Sequence, residues 1–432
     1  MPFQTIPNTN VSYALIAFDD QGRECTDDPQ GLNGLMSARI VQDIQQAAPP
    51  SHVFFFSHGW KGDVPAAVDQ YNRWIKAMTG MPADAARMGP GFRPLWIGLH
   101  WPSLPWGDDE LGGNSFDAPQ VASNELLERY VNRLGADPEA VRKLLKVIFH
   151  ANDVNAGASV LPPEVADAYN QLAELLGHTS KGPGAAPDAD GAPFDPNAAF
   201  DAGNEGGDAF GGFSLGGLLG PLRQLSFWKM KNRARTVGEG GMHTFIGDLQ
   251  TALPVAKFHL IGHSFGCIVV SSILGGPGGQ TPLPRPVDSA ALVQGALSLW
   301  GYTDDIEHVG GPGYFHAMIQ RGAVSGPLIT TQSSFDTAVG TFYPIAVGLV
   351  GQVAFGDELP LFGAVGAFGI QGVAGAVARK MAGETEEYGF AAGKIYNLES
   401  SKFICKMDGA SGAHSDIDGP QVAHALWQAA LV

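Results

Sequence analysis

The run Gly262-His263-Ser264-Phe265-Gly266 places a hydroxyl between two glycines, the G-x-S-x-G spacing of a serine held on a sharp turn. A serine hydroxyl is a weak nucleophile at neutral pH and attacks a carbonyl only when a neutral imidazole takes its proton. Such chemistry also needs a carboxylate to orient the imidazole and backbone N–H donors for the oxyanion. Glycine is frequent in this chain, and Gly212-Phe213-Ser214-Leu215-Gly216 matches the same pattern. Context separates the two. The apolar run Lys257–Ile261 leads into Ser264 and the helix-capable run Cys267–Leu274 follows it, whereas no strand-like run precedes Ser214. Strand, tight turn and helix are what a presented nucleophile requires.

In this arrangement the acid and then the base follow the serine along the chain. His308, His316, His414 and His424 lie downstream. The first two precede the strand-like run Pro327–Thr331 and come too early. His424 lies in the last amphipathic segment beside Ala423 and near Trp427, the setting of a structural histidine. His414, in a Gly/Ser-rich loop between the last strand-like runs and the last helix, is the expected base. Asp336, shortly after Pro327–Thr331, is the expected acid, with Asp304 and Asp305 as alternatives. Phe265 follows the nucleophile and supplies one expected oxyanion N–H. The second is expected from Trp60, in Ser57-His58-Gly59-Trp60 after the apolar run His52–Phe56, where Gly59 lets the backbone come close.

Presenting these groups together requires a sheet whose strand ends share one edge. Ser12–Phe18, His52–Phe56, Leu95–His100, Lys257–Ile261, Ala290–Leu297, Pro327–Thr331 and Lys394–Leu398 read as strands, and Lys402–Lys406 could pair nearby. Several are apolar on both faces, which suits a sheet covered by helices on both sides. Helical patterns at Leu32–Gln46, Phe227–Leu253 and Gly419–Leu431 alternate with them, so the fold class is α/β.

Taken in order, His58-Gly59-Trp60, Gly262-His263-Ser264-Phe265-Gly266, Asp336 and His414 resemble the α/β-hydrolase superfamily. The resemblance implies a mostly parallel, eight-stranded sheet flanked by helices. It also implies nucleophile Ser264, acid Asp336, base His414 and oxyanion donors Trp60 and Phe265. The core is expected over 1–105, 225–340 and 391–432. Residues 106–224 depart from a minimal fold as a helical cap (segments Asn124–Leu134, Pro138–His150 and Pro163–Leu176) plus a flexible Gly/Ala/Asp/Pro-rich linker at about 182–220. Residues 341–390 form a second, apolar Gly/Ala-rich insertion. Within it, Leu359–Ala378 has no charge and is long enough to span a bilayer. Glycines at 363, 366, 369, 372 and 375 drift around a helix of period 3.6 and weaken it, so a lid or buried insertion is expected instead.

The chain of 432 residues carries a net charge of −17, which disfavours nucleic acid and anionic membrane surfaces as partners. Cys25, Cys267 and Cys405 build neither a disulfide scaffold nor a CxxC site. Asp188, Asp190 and Asp195 lack the glycine of an EF-hand loop, and no metal or cofactor is expected. No basic-then-apolar leader opens the sequence, so a cytoplasmic location is expected. The expected activity is cleavage of a carboxylic ester through an acyl-enzyme. Trp60, Trp101, Trp106, Phe265 and the 341–378 region favour a small-molecule substrate with an apolar, even lipid-like, acyl group. A lipase or phospholipase is the interfacial variant; an amidase, thioesterase or acyltransferase would use the same triad, and a non-catalytic scaffold would bind without turnover.

Overall fold

The computed structural model describes residues 3–46, 48–60, 63–103, 127–128, 130–131, 134, 137–155, 157–205, 217–307, 309–343 and 359–432. Among them, nine strands form one sheet: β1 (Phe3–Thr5), β2 (Ser12–Ala17), β3 (His52–Ser57), β4 (Pro94–His100), β5 (Lys257–His263), β6 (Ser289–Val293), β7 (Leu328–Gln332), β8 (Val377–Lys380) and β9 (Ile395–Glu399). Their order is β1-β2-β4-β3-β5-β6-β7-β9-β8, with β1 antiparallel to β2 and every other pairing parallel. This is an α/β fold. The sheet has one strand more than the eight that the resemblance implies. Neither β1 nor β8 carries an apolar run, since both are short and largely exposed edge strands. Lys402–Lys406 forms turn and irregular backbone instead of a strand.

The helices are α1 (Met36–Gln46), α2 (Val64–Thr79), α3 (Pro82–Arg87), α4 (Pro138–Val154), α5 (Pro163–Leu175), α6 (Pro196–Glu205), α7 (Gly220–Val237), α8 (His243–Ala252), α9 (Gly266–Gly275), α10 (His316–Gln320), α11 (Val365–Phe368) and α12 (Pro420–Ala430). Side chains alternate faces along a strand, and β3 shows the consequence. Val53 and Phe55 enter a core shared with α1, α7, α8 and α9, while Phe54 and Phe56 enter the opposite core with α2 and α12. Both faces are covered, so the run has no polar alternation. The sheet reverses its winding between β3 and β5, where the crevice at the carboxyl ends of the strands is the usual ligand site of an open α/β sheet.

No helix among the described residues is long and apolar enough to cross a membrane. Residues 359–376 instead run as an irregular strap containing α11. A Cβ on Gly366 would lie 2.6 Å from the Gln294 carbonyl carbon, and Gly369, Gly372 and Gly375 have φ of +73°, +69° and +80°. Close backbone approach and left-handed turns therefore explain the glycine spacing. Residues 182–205 of the expected flexible linker carry turns and α6, and Asp190 anchors them in the interior. Residues 206–216, with the second G-x-S-x-G match, lie outside the described residues, as do Trp106, His308 and most of Asn124–Leu134.

The basic residues Lys231 and Arg233 of α7 are buried, and Arg235 is partly so. Lys231, fully buried, lies 3.6 Å from Asp190 and donates to Tyr343 Oη at 2.9 Å, and Tyr343 donates to Asp190 at 3.2 Å. Arg235 pairs with Asp188 at 2.8 Å, and Arg233 donates to the Pro102 carbonyl at 2.7 Å. Burial pushes the Lys231 ammonium down and the Asp190 carboxyl up, each opposed by the attraction of the other.

Candidate active site

Ser264 follows β5 and precedes α9 at the reversal point of the sheet. Its φ is +55°, a left-handed conformation that a β-carbon makes strained. The flanking glycines have a packing reason. A Cβ on Gly262 would lie 2.4 Å from the Gly266 carbonyl oxygen, and one on Gly266 would lie 2.2 Å from that of Ser57. The turn can form only if both positions lack side chains. The turn after β6 clasps the serine main chain: Ser264 N–H donates to Val293 O at 3.1 Å and Ala296 N–H donates to Ser264 O at 3.2 Å.

The end of β3 brings the second loop against Ser264. A Cβ on Gly59 would sit 2.5 Å from Ser264 Cβ and 3.1 Å from its Oγ, so only glycine fits. His58 is buried, and burial, followed by nearby His100, pushes its imidazole down to about 3. Its Nδ1–H donates to the Gly59 carbonyl at 2.8 Å, and its Nε2 faces the Trp101 N–H at 3.4 Å. Its ring stacks on the Trp101 indole at 5.6 Å. His58 is thus a neutral strut that fixes the Gly59–Trp60 peptide. With the carbonyl turned to His58 and no cis peptide among the described residues, the Trp60 N–H points away from that ring. The Phe265 amide, just ahead of α9, takes no backbone acceptor among the described residues.

The expected acid and base are joined. His414 Nδ1–H donates to Asp336 Oδ2 at 2.7 Å, with Asp336 fully buried and the His414 side chain 13% exposed. His263, the residue before Ser264, holds His414 in place. Its Nε2–H donates to the His414 carbonyl at 2.9 Å and its ring lies 4.8 Å from the His414 ring. Burial, then His414, drives His263 well below the usual histidine range, so it stays neutral. Among the described residues, no hydrogen bond joins Ser264 Oγ to His414. Such contacts are often long before substrate binds and tighten with it.

The alternatives are elsewhere. Asp304 and Asp305 are exposed, and Asp305 accepts from Gly311 N–H. His316 faces the Tyr302 carbonyl, and His424 pairs with Asp84. An aromatic cluster gathers at Phe265, the residue after Ser264: Trp60 against Phe265 at 5.7 Å, Phe227 against Phe265 at 5.1 Å and Phe227 against Tyr343 at 5.7 Å.

Two polar residues escape the sequence reading. Gln294 sits fully buried after β6, and its Nε2 donates to Asp336 Oδ2 at 2.7 Å. Thr331, in β7, lies beside it. The available signal was a lone amide inside the apolar run Ala290–Leu297. No group of metal-ligating side chains occurs among the described residues. No protein-family model, curated protein or solved structure matches this chain.

Proposed function

We propose that this chain is a serine hydrolase of the α/β-hydrolase kind that cleaves carboxylic esters through an acyl-enzyme. The observation that carries the reading is the hydrogen-bonded Asp336–His414 pair whose supporting residue, His263, is the immediate neighbour of the strained Ser264. In this reading Ser264 Oγ attacks the ester carbonyl while His414 Nε2 takes its proton. Asp336 holds the imidazole in the tautomer with hydrogen on Nδ1 and stabilises the imidazolium. The N–H groups of Trp60 and Phe265 receive the oxyanion. The tetrahedral intermediate collapses as His414 returns the proton to the leaving alkoxide, and a water deprotonated by His414 then releases the acid.

The aromatic cluster of Trp60, Phe227, Phe265 and Tyr343 favours an apolar acyl group. Fluorophosphonate labelling of the full-length chain, wild type against Ser264→Ala, tests the reading. Stoichiometric labelling lost in the variant is the expected result, and a folded wild type that never labels would sink it. Turnover of p-nitrophenyl esters from acetyl to palmitoyl then separates an esterase from a lipase by chain-length optimum.

A further inference from the structure

We infer that Gln294 and Thr331 form a positioning pair that sets which face of the Asp336 carboxylate meets the base, an inference that rests on the hydrolase reading for its catalytic consequence. Gln294 has φ +47°, a left-handed backbone that a residue with a long side chain adopts only when its surroundings enforce it. Three hydrogen bonds do so. Its N–H donates to Thr331 Oγ1 at 3.0 Å, Thr331 Oγ1 donates to Gln294 Oε1 at 2.8 Å, and Gln294 Nε2 donates to Asp336 Oδ2 at 2.7 Å.

The directions are mutually determined. Because Thr331 Oγ1 accepts the backbone N–H, its single hydrogen goes to the amide oxygen. The amide nitrogen is thereby turned toward the carboxylate, and an amide in the opposite sense would set oxygen against oxygen. Asp336 Oδ2 thus receives two donors, Gln294 Nε2 and His414 Nδ1, while Oδ1 accepts from Val339 N–H at 3.1 Å. A carboxylate tied at both oxygens cannot rotate away from the imidazole. The same turn, through Val293 O and Ala296 N–H, grips the main chain of Ser264, so one short segment indexes acid and nucleophile together. Gly366, packed on the Gln294 backbone, leaves that segment no room to shift.

Gln294 touches no reacting atom in this scheme. Its test therefore compares Gln294→Met, Thr331→Val and the conservative Thr331→Ser. Each is read by ester kinetics, by thermal melting and by the downfield proton resonance of the His414 Nδ1–H, assigned by its loss in His414→Gln. Losing a hydrogen bond to a charged group predicts that kcat falls about tenfold or more in Gln294→Met and Thr331→Val with KM nearly unchanged. The resonance should move upfield or broaden in both, and Thr331→Ser should restore kcat and resonance. Folded variants with wild-type kcat and an unmoved resonance would overturn the inference. Should Gln294→Met fail to fold, the Thr331 pair decides alone. Should wild type neither label nor turn over esters, the hydrolase reading falls, and the resonance still decides whether the pair positions Asp336.

Discussion

Two histidine–aspartate pairs in this molecule have the same bond and different surroundings. His414 Nδ1 meets Asp336 Oδ2 at 2.7 Å, and His424 Nδ1 meets Asp84 Oδ2 at 2.7 Å, both carboxylates being buried. The second nitrogen separates them. His424 Nε2 faces the Glu386 carbonyl at 2.9 Å, so both of its nitrogens meet acceptors. That ring clamps α12 to α3 and to the chain at Glu386. His414 Nε2 has no acceptor among the described residues and keeps a lone pair for a proton. A histidine–carboxylate pair alone is therefore no sign of catalysis, and it is the unoccupied Nε2 of His414 that the proposed reading uses.

Exchanging the two histidines one at a time gives the largest contrast. His414→Gln should lower fluorophosphonate labelling by about a thousandfold or more with the fold retained. His424→Gln should label at the wild-type rate below its melting temperature. It should instead lose about 3–5 kcal/mol of stability, because Asp84 is left as an unpaired buried charge. A folded His424→Gln protein that fails to label would break the distinction.

Gly59→Ala sharpens it from the nucleophile's side. The new methyl would collide with Ser264 Cβ, which is not a flexible side-chain end. Labelling should fall about 100-fold, the effect of losing one oxyanion donor, and the overpacked turn should cost about 1–3 kcal/mol of stability.

Beneath the aromatic cluster, Lys231→Met should cost about 3–5 kcal/mol by stranding Asp190, and adding Asp190→Asn should recover much of it. Chemical denaturation of the two variants against wild type measures both effects. A double variant no more stable than the single one would show that the pair is not coupled.

The smallest effect is in the pH dependence of stability. His58 is pushed down to about 3 and His52 to about 4, both by burial first, from an ordinary value of 6.5. Between those values the unfolded chain binds protons that the folded chain refuses. Their contribution is thus complete above about 6.5 and is lost as pH falls toward the folded values. Melting midpoints measured from about pH 7 down to about pH 4 should drop less steeply in His52→Asn than in wild type. Equal slopes would remove His52 from the account.

The core strands were legible in the sequence because a strand buried on both faces carries a largely apolar run, as Val53–Phe56 in β3 and Leu260–Ile261 in β5 do. Gly262 and Gly266 were legible because local sterics demand glycine on both sides of the tight turn at Ser264. The edge strands β1 and β8 were not, since pairing partners and not burial hold them in the sheet. Asp190 and Lys231 were misleading for a related reason. An acidic, glycine-rich stretch reads as solvated until a buried cation at a distant position supplies its counter-charge.

The sequence by itself determined the α/β class and the tight turn at Ser264, because strand burial and backbone strain act through neighbours in the chain. Tertiary structure alone decided which histidine keeps an open nitrogen, that His58 and His263 are neutral struts, and that Gln294 and Thr331 tie down Asp336. Those are hydrogen bonds between side chains that the sheet brings together from remote positions. Their directions depend on which donor meets which acceptor in space, and no local pattern of residues encodes that.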